Sequence, residues 1–488
     1  MSAKQGARSL TTEIYERVCD VERRHDLLQY EVDGWCVWPL FRLGACYALN
    51  PAIPGNGSRA STRSARVVGA ALRQLPALAT IPRAEHLIKT YASGLREQVG
   101  ARFKDVWFDE LIASLDACYK MQMDDNPAFA PRVRSALVPP NLRTNWISVV
   151  ANQLARRWVA NAPRIARDSA ALSRVMISEL GLASHAPAMM ERVFRVFYWE
   201  RRINGWLLDR LRPRDVITAD FGEYALVSAA RDRSIPTLEL QHGMVTPEHG
   251  AYSWTDYALP YRDRIPLADK FLAWGDYWRE LIDRSGFWGE RAVSVGSPRI
   301  DEYRTRPAAK GNTPGVSILV TTEGIERDAL AAFLARFMAI ARGTCDCSLM
   351  VKLHPLGDLD KAPYLEVLGQ FPNVAVELGS EGSSTFELLA RADLHASISS
   401  AVHFESLGLG VPTVILGMDR HEIMLPLYEA GHAALVTEPS ELLEVARHID
   451  EHPVPDTIAD FYFRPDAVAN IRRELPHYLP QMRRSART

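Results

Sequence analysis

Several stretches of the chain carry side chains whose types and spacing suit group transfer at a phosphate. In Leu394-His-Ala-Ser-Ile-Ser399-Ser400-Ala-Val-His-Phe-Glu405-Ser-Leu-Gly408-Leu-Gly410-Val-Pro412 an apolar strand runs into two hydroxyl residues and then into a helical pattern. Ser399 and Ser400 fall in the N-cap region, where free backbone N–H groups and the positive end of the helix dipole receive a phosphate. Glu405 follows Ser400 by about 7.5 Å along a helix axis at 1.5 Å per residue. A nucleotide with its phosphate at the helix start would set its ribose diol near that carboxylate. The bland alternative is a plain cap followed by a solvated glutamate.

Met350-Val-Lys352-Leu-His354-Pro355 is a strand stopped by proline, and period two puts Lys352 and His354 on one face. An ammonium and an imidazole there would neutralise charge on a leaving phosphate. Thr321, Thr322 and Glu323 end the first strand of the same region. Further upstream, Leu240-Gln241-His242-Gly243 ends another strand, and Gly243 permits a tight turn that presents His242 as a base or as a donor to phosphate. The strand before it ends in Asp220-Phe-Gly222-Glu223. Asp220 or Glu223 would activate an acceptor hydroxyl, or attack a sugar carbon if configuration is retained. Both equally suit capping of the following helix.

Two α/β series are needed to position these groups. The first has strands at 87–92, 216–219, 236–240, 270–273 and 292–295, with helices at 103–115, within 145–212 and at 224–231. The second has strands at 316–320, 348–353, 374–376, 394–397 and 413–416, alternating with helices at 327–341, 385–390, 401–409 and 440–449. Alternation of this kind implies parallel sheets covered on both faces, with ligands at the carboxyl ends of the strands. The expected fold class is α/β, with two Rossmann-like parallel-sheet lobes facing across a cleft. Its parts are an acceptor-side lobe over 1–306 with helical insertions, a nucleotide-binding lobe over 307–458, and a crossover helix with a basic tail over 459–488.

At 488 residues the chain is long enough for two large domains or about three average ones. Hydrophobic residues make up 47% and charged residues 24%, which excludes wholesale disorder. Lys plus Arg number 57 against 59 Asp plus Glu, a formal charge of −2, so the basic excess of a dedicated nucleic-acid binder is missing. Cys19, Cys36, Cys46, Cys118, Cys345 and Cys347 form no C-x-x-C pair and read as reduced thiols, with Cys345-Asp-Cys347 a chance spacing. No apolar leader or membrane span stands out, and the expected location is the cytosol. P-loop, dinucleotide, zinc-protease and esterase signatures are missing. Asp358-Leu-Asp360 reads as a polar loop, and no metal is expected.

Gln241-His-Gly243, Lys352-Leu-His-Pro355 and the Ser399-Ser-to-Pro412 run, in this order on two α/β lobes, resemble the bacterial GT-B glycosyltransferases of surface polysaccharide assembly. These include the Kdo transferases of capsule and lipopolysaccharide synthesis, the sialyl- and polysialyltransferases with their His-Pro and Ser-Ser motifs, and the teichoic acid polyol-phosphate polymerases. The resemblance runs from about Asp215 to Leu416; before that it rests on Trp38-Pro-Leu-Phe-Arg42. It implies a cytidine-nucleotide donor in the second lobe with His354, Ser399 and Ser400 at its phosphate. Two departures stand out. Asp220 and Gly222-Glu223 do not match the acidic pair followed by glycine of many sialyltransferases, and His242-Gly-Met-Val-Thr-Pro247 lengthens the His-Gly-Thr-Pro turn of the teichoic enzymes.

The expected function is transfer of a sugar, CMP-activated Kdo or another acidic sugar, to a lipid-linked or growing surface glycan without a metal or resident cofactor. Lys352, His354, Ser399 and Ser400 would hold the donor phosphate, with Glu405 near the ribose and Thr321, Thr322 and Glu323 beside them; Asp220, Glu223 and His242 would handle the acceptor. Alternatives are a CDP-polyol phosphotransferase, another nucleotide-diphosphate-sugar transferase, a UDP-sugar epimerase, and a non-catalytic assembly scaffold. Basic amphipathic stretches at 65–80 and 472–487 suit peripheral contact with an anionic membrane, against the alternative of a solvated surface.

Overall fold

The computed structural model describes residues 10–51, 78–91, 96–123, 135–305, 315–355, 357–379 and 381–476. Most of the 65–80 stretch and most of the basic tail lie outside them. The chain forms two compact units. One holds the described residues up to Ala273, Trp278–Ser294, and those from Ile471 onward; the other holds Trp274–Tyr277 and Val295–Asn470.

In the first unit, β1 (Glu31–Val32) and β2 (Trp35–Cys36) form a small antiparallel hairpin. The main strands are β3 (His86–Tyr91), β6 (Cys118–Met123), β7 (Leu142–Arg143), β8 (Asp215–Thr218), β9 (Thr237–Leu240), β10 (Lys270–Ala273) and β11 (Ala292–Ser294); β4 (Glu97–Val99) and β5 (Arg102–Lys104) pair separately. The seven main strands are all parallel, in the order β11-β10-β9-β8-β3-β6-β7. Chain order reverses between β3 and β8, which is the switch point where open α/β sheets bind ligands. Leu87, Met121, Val216, Leu207, Leu208, Leu211 and Leu226 pack the core on one face.

The expected helix over 103–115 is instead a strand, a turn and a short helix over Asp109–Ala113. Asp109 Oδ2 accepts the Asp105 N–H at 2.9 Å, and Asp105 Oδ1 accepts that of Trp107 at 3.3 Å, so two aspartates fold the backbone back before a helix starts.

The second unit is a six-stranded parallel sheet of β12 (Val316–Thr321), β13 (Cys347–Lys352), β14 (Val374–Glu377), β15 (Leu394–Ser397), β16 (Thr413–Leu416) and β17 (Ala434–Val436), ordered β14-β13-β12-β15-β16-β17. In chain order this is 3-2-1-4-5-6, the doubly wound order, with its switch point between β12 and β15. β15 and β16 are buried at every position, as strands covered on both faces must be. The helix Arg327–Ala341 supplies Leu330, Leu334, Phe337, Met338 and Ala341 to the core at helical spacing.

Candidate functional site

The carboxyl ends of β13, β12 and β15 lie side by side in the second unit, and the residues that follow them are laced together. Thr322 donates its N–H to the Lys352 carbonyl at 3.1 Å, and His354 donates its own to the Thr322 hydroxyl at 3.4 Å. Gly324 has φ +79°, and a Cβ there would stand 2.2 Å from the Gly357 carbonyl oxygen. The turn after β12 therefore touches the turn after β13 backbone to backbone, an approach that only glycine allows.

Asp358 anchors this arrangement. It is fully buried; its Oδ2 accepts the Thr322 hydroxyl at 2.7 Å and the Tyr364 hydroxyl at 2.8 Å, while Arg327 Nε lies 3.0 Å from Oδ1. The Asp358-Leu-Asp360 stretch is thus only partly the polar loop expected of it, since its first carboxylate holds two strand ends in register.

The expected donor residues divide into two groups. Thr321, Thr322 and Lys352 are 5%, 3% and 2% exposed, and their side chains are occupied inside the fold. The Thr321 hydroxyl meets His395 Nε2 at 2.9 Å. Lys352 Nζ pairs with Glu377 Oε2 at 3.0 Å and also donates to the Glu381 carbonyl, so its charge is spent on the neighbouring strand β14. Lys352 and His354 do not form the expected pair, because one is buried and the other exposed.

Glu323, His354, Ser399, Ser400 and Glu405 keep some exposure. His354 Nδ1 accepts the Gly357 N–H at 2.8 Å, which places the ring proton of the neutral imidazole on Nε2, and burial lowers its pKa. Ser400 Oγ accepts the Val402 N–H at 3.3 Å, but the N-cap of the helix Val402–Gly408 is Ala401, one position after the expected Ser399–Ser400. Glu405 is half-buried on that helix. Burial pushes the Glu323 carboxyl up to about 7, with the Ser397 hydroxyl, the Ser399 N–H and the Ser400 hydroxyl pulling the other way.

Ser397 joins these groups and was not singled out in the sequence. It is fully buried, with Oγ 2.6 Å from the Thr321 carbonyl oxygen and 2.8 Å from Glu323 Oε1. Its signal was alternation: His395 and Ser397 share one face of β15, and His395 Nδ1 meets the Thr413 hydroxyl at 2.8 Å, which His403 Nδ1 meets at 2.6 Å.

In the first unit, Asp220, Glu223 and His242 follow β8 and β9. Asp220 Oδ1 accepts the Gly222 N–H at 2.8 Å and closes a local turn. Glu223 pairs with the buried Lys89 of β3, which partly offsets the upward push that burial gives its carboxyl. The turn after β9 is held by Gln241, whose Nε2 donates to the Gly243 carbonyl at 2.9 Å. Gly243 has no positive φ and nothing within 4 Å of a Cβ, so the turn does not depend on glycine.

The half-buried His242 ring meets Tyr91 and Trp107 edge-on at 6.0 and 6.3 Å, with Phe221 at 6.2 Å. Its Nδ1 is buried and has no hydrogen-bond partner among the described residues, and desolvation lowers its pKa to about 4. At neutral pH it is an uncharged imidazole, not a cation for a phosphate.

Nearby groups escaped the sequence reading. Glu239 sits inside β9, 2% exposed, bonded to the Tyr252 hydroxyl and pushed up to about 8 by burial. A lone carboxylate in the apolar run Thr237-Leu-Glu-Leu240 was the available sign. The Trp38-Pro-Leu-Phe-Arg42 block acts through Arg42, fully buried against Glu22 at 2.6 Å and donating to the Gly250 and Ser253 carbonyls, which pins the loop beyond His242. Beside Gly222 opens a cavity of about 350 Å³, walled by Leu40, Met189, Val193, Phe197 and Tyr224, with Glu200 among its polar groups.

No protein-family model matches the chain, and no curated protein matches it. Similar solved structures include a UDP-N-acetylglucosamine 2-epimerase, at 14% identity and TM-score 0.49 over 82% of this chain and 97% of that one. A UDP-GlcNAc 2-epimerase from Neisseria meningitidis bound to UDP-GlcNAc matches at 14% and 0.47, over 80% and 98%. The wall teichoic acid polymerase TagF matches at 13% and 0.43, over 84% and 96%. At such identities and scores these likenesses decide neither reaction nor donor. Among the described residues, no helix is long and apolar enough to cross a membrane.

Proposed function

We propose that this chain is a glycosyltransferase of the GT-B type, moving a sugar from a nucleotide donor to a glycan acceptor. The observation that carries the reading is the meeting of Glu323, Ser397, Ser399 and Ser400 at the β12–β15 switch point of a sheet in doubly wound order. His354, one strand over, offers a neutral Nε2–H to the same phosphate, and Glu405 remains the candidate for the ribose. On the acceptor side, Asp220 is the group best placed to take a hydroxyl proton, since Glu223 is committed to Lys89 and His242 is a weak base.

The motif resemblance favours a CMP-activated acidic sugar such as Kdo as donor and a surface polysaccharide as acceptor. The mostly apolar cavity beside Gly222 favours an acceptor that carries a lipid or other apolar group. Metal-independent transfer and peripheral attachment at the inner face of the cytoplasmic membrane complete the proposal. Incubation with a panel of nucleotide sugars and acceptor glycans, reading the free nucleotide released, tests it. CMP release that requires acceptor supports the reading. CDP or UDP release moves the donor to another class, and turnover without acceptor removes the transferase.

A further inference from the structure

Ser397 Oγ has two oxygen neighbours that ordinarily accept, the Thr321 carbonyl at 2.6 Å and Glu323 Oε1 at 2.8 Å. A hydroxyl has one proton to give. The carbonyl has none, so it takes the serine proton. The second contact is then a hydrogen bond only if the Glu323 carboxyl carries a proton and donates it to the serine lone pair. With an ionised carboxylate, two lone-pair oxygens would face each other at that distance.

Glu323's other oxygen, Oε2, is buried and has no hydrogen-bond partner among the described residues; burial raises the carboxyl, while Ser397, the Ser399 N–H and the Ser400 hydroxyl, acting as donors, each draw it down. The groups that act most strongly on it among the described residues are the uncharged donors Ser397, Ser399 and Ser400. From β15 and the loop beyond come only Ser397, Ser399 and Ser400. From the turn after β13 come Gly357, which packs on the Glu323 carbonyl, and His354, a second titratable group whose pKa burial lowers and the Asp358 carboxylate raises. The Asp358 carboxylate beyond that turn is taken by Thr322, Tyr364 and Arg327.

We propose that Glu323 gates the phosphate subsite of the second unit by its protonation. As a neutral acid it leaves the Ser399 N–H and the Ser400 hydroxyl to an anionic ligand; as a carboxylate it claims those donors and repels the anion. The inference rests on the reading of this site as the donor-phosphate site. The carboxyl's position at about 7 puts the change within the physiological range.

The probe is the methyl ester of CMP, a phosphodiester whose charge stays constant between pH 6 and 8, with binding followed by calorimetry. The neutral fraction of a group at 7 falls from about nine-tenths at pH 6 to about one-tenth at pH 8, so the affinity of the protein falls about tenfold. Glu323→Gln binds as tightly as the parent does at pH 6 and shows no slope. Equal parent affinity at both pH values, or a slope kept in Glu323→Gln, overturns the gate while leaving the donor site standing. If neither protein binds the probe, the donor reading fails for this nucleotide class, and infrared spectroscopy decides the gate alone. A protonated-carboxyl band at pH 6 that fades by pH 8 and is missing from Glu323→Gln supports it; no such band overturns it.

Discussion

Replacing Ser397 by alanine separates two ways of placing one proton. Ser397 Oγ bridges the Thr321 carbonyl and the Glu323 carboxyl, and its side chain has no exposure. Its loss removes a hydrogen bond to a buried carbonyl, a cost of about 1–2 kcal/mol. For a unit of this size that is a fall in unfolding temperature of about 2–8 °C. The effect on Glu323 has a sign. If the carboxyl donates to Ser397, the serine stabilises the neutral acid, and removing a bond of about 1 kcal/mol lowers the carboxyl pKa by about 0.7 at 1.36 kcal/mol per unit. The midpoint of pH-dependent probe binding then moves from about 7 to the acid side. If Ser397 instead donates to a carboxylate, the midpoint moves to the alkaline side. Calorimetric titration of Ser397→Ala against pH reads it directly, with thermal melting as the check on the fold. An alkaline shift, or no shift with the expected melting loss, refutes the proton placement.

Gly324→Ala forces a Cβ toward a carbonyl oxygen 2.2 Å away at φ +79°, so the two turns separate, and nucleotide affinity falls at least tenfold while the circular dichroism of the sheet is kept. Glu239 is raised to about 8 by burial, so its contribution to stability is fully present below the ordinary carboxylate range and is lost as pH rises through 8. Glu239→Gln, which keeps an acceptor for Tyr252, therefore gains on the parent by about 3–4 kcal/mol between pH 5 and pH 8 in urea unfolding; a constant difference contradicts this. Arg42→Met leaves the buried Glu22 carboxyl with the Trp38 indole N–H but without its cation, and costs about 3–5 kcal/mol in the same assay.

The sheets were legible because parallel strands buried on both faces are short apolar runs, as Val216-Ile217 and Val414-Ile415-Leu416 are. β6 was not, because Lys120 and Gln122 interrupt its pattern and are buried against partners such as Asp109 and Arg96. The same physics governed the site. Residue type and strand-end position marked Glu323, His354, Ser399 and Ser400, but burial state is a property of the packed chain. Thr321, Thr322 and Lys352 share those strand ends and were turned inward by His395, Asp358 and Glu377. For His242, the aromatic rings that strip its charge come from β3 and from the turns after β5 and β8, far away in sequence.

The most direct measurement is photo-crosslinking with an azido-cytidine nucleotide sugar, followed by peptide mapping of the labelled protein. Label is expected on the peptides that hold Thr321–Gly324 and Ser397–Glu405, competed away by unmodified CMP. Label confined to peptides of the first unit, or uncompeted label spread over the surface, would contradict it.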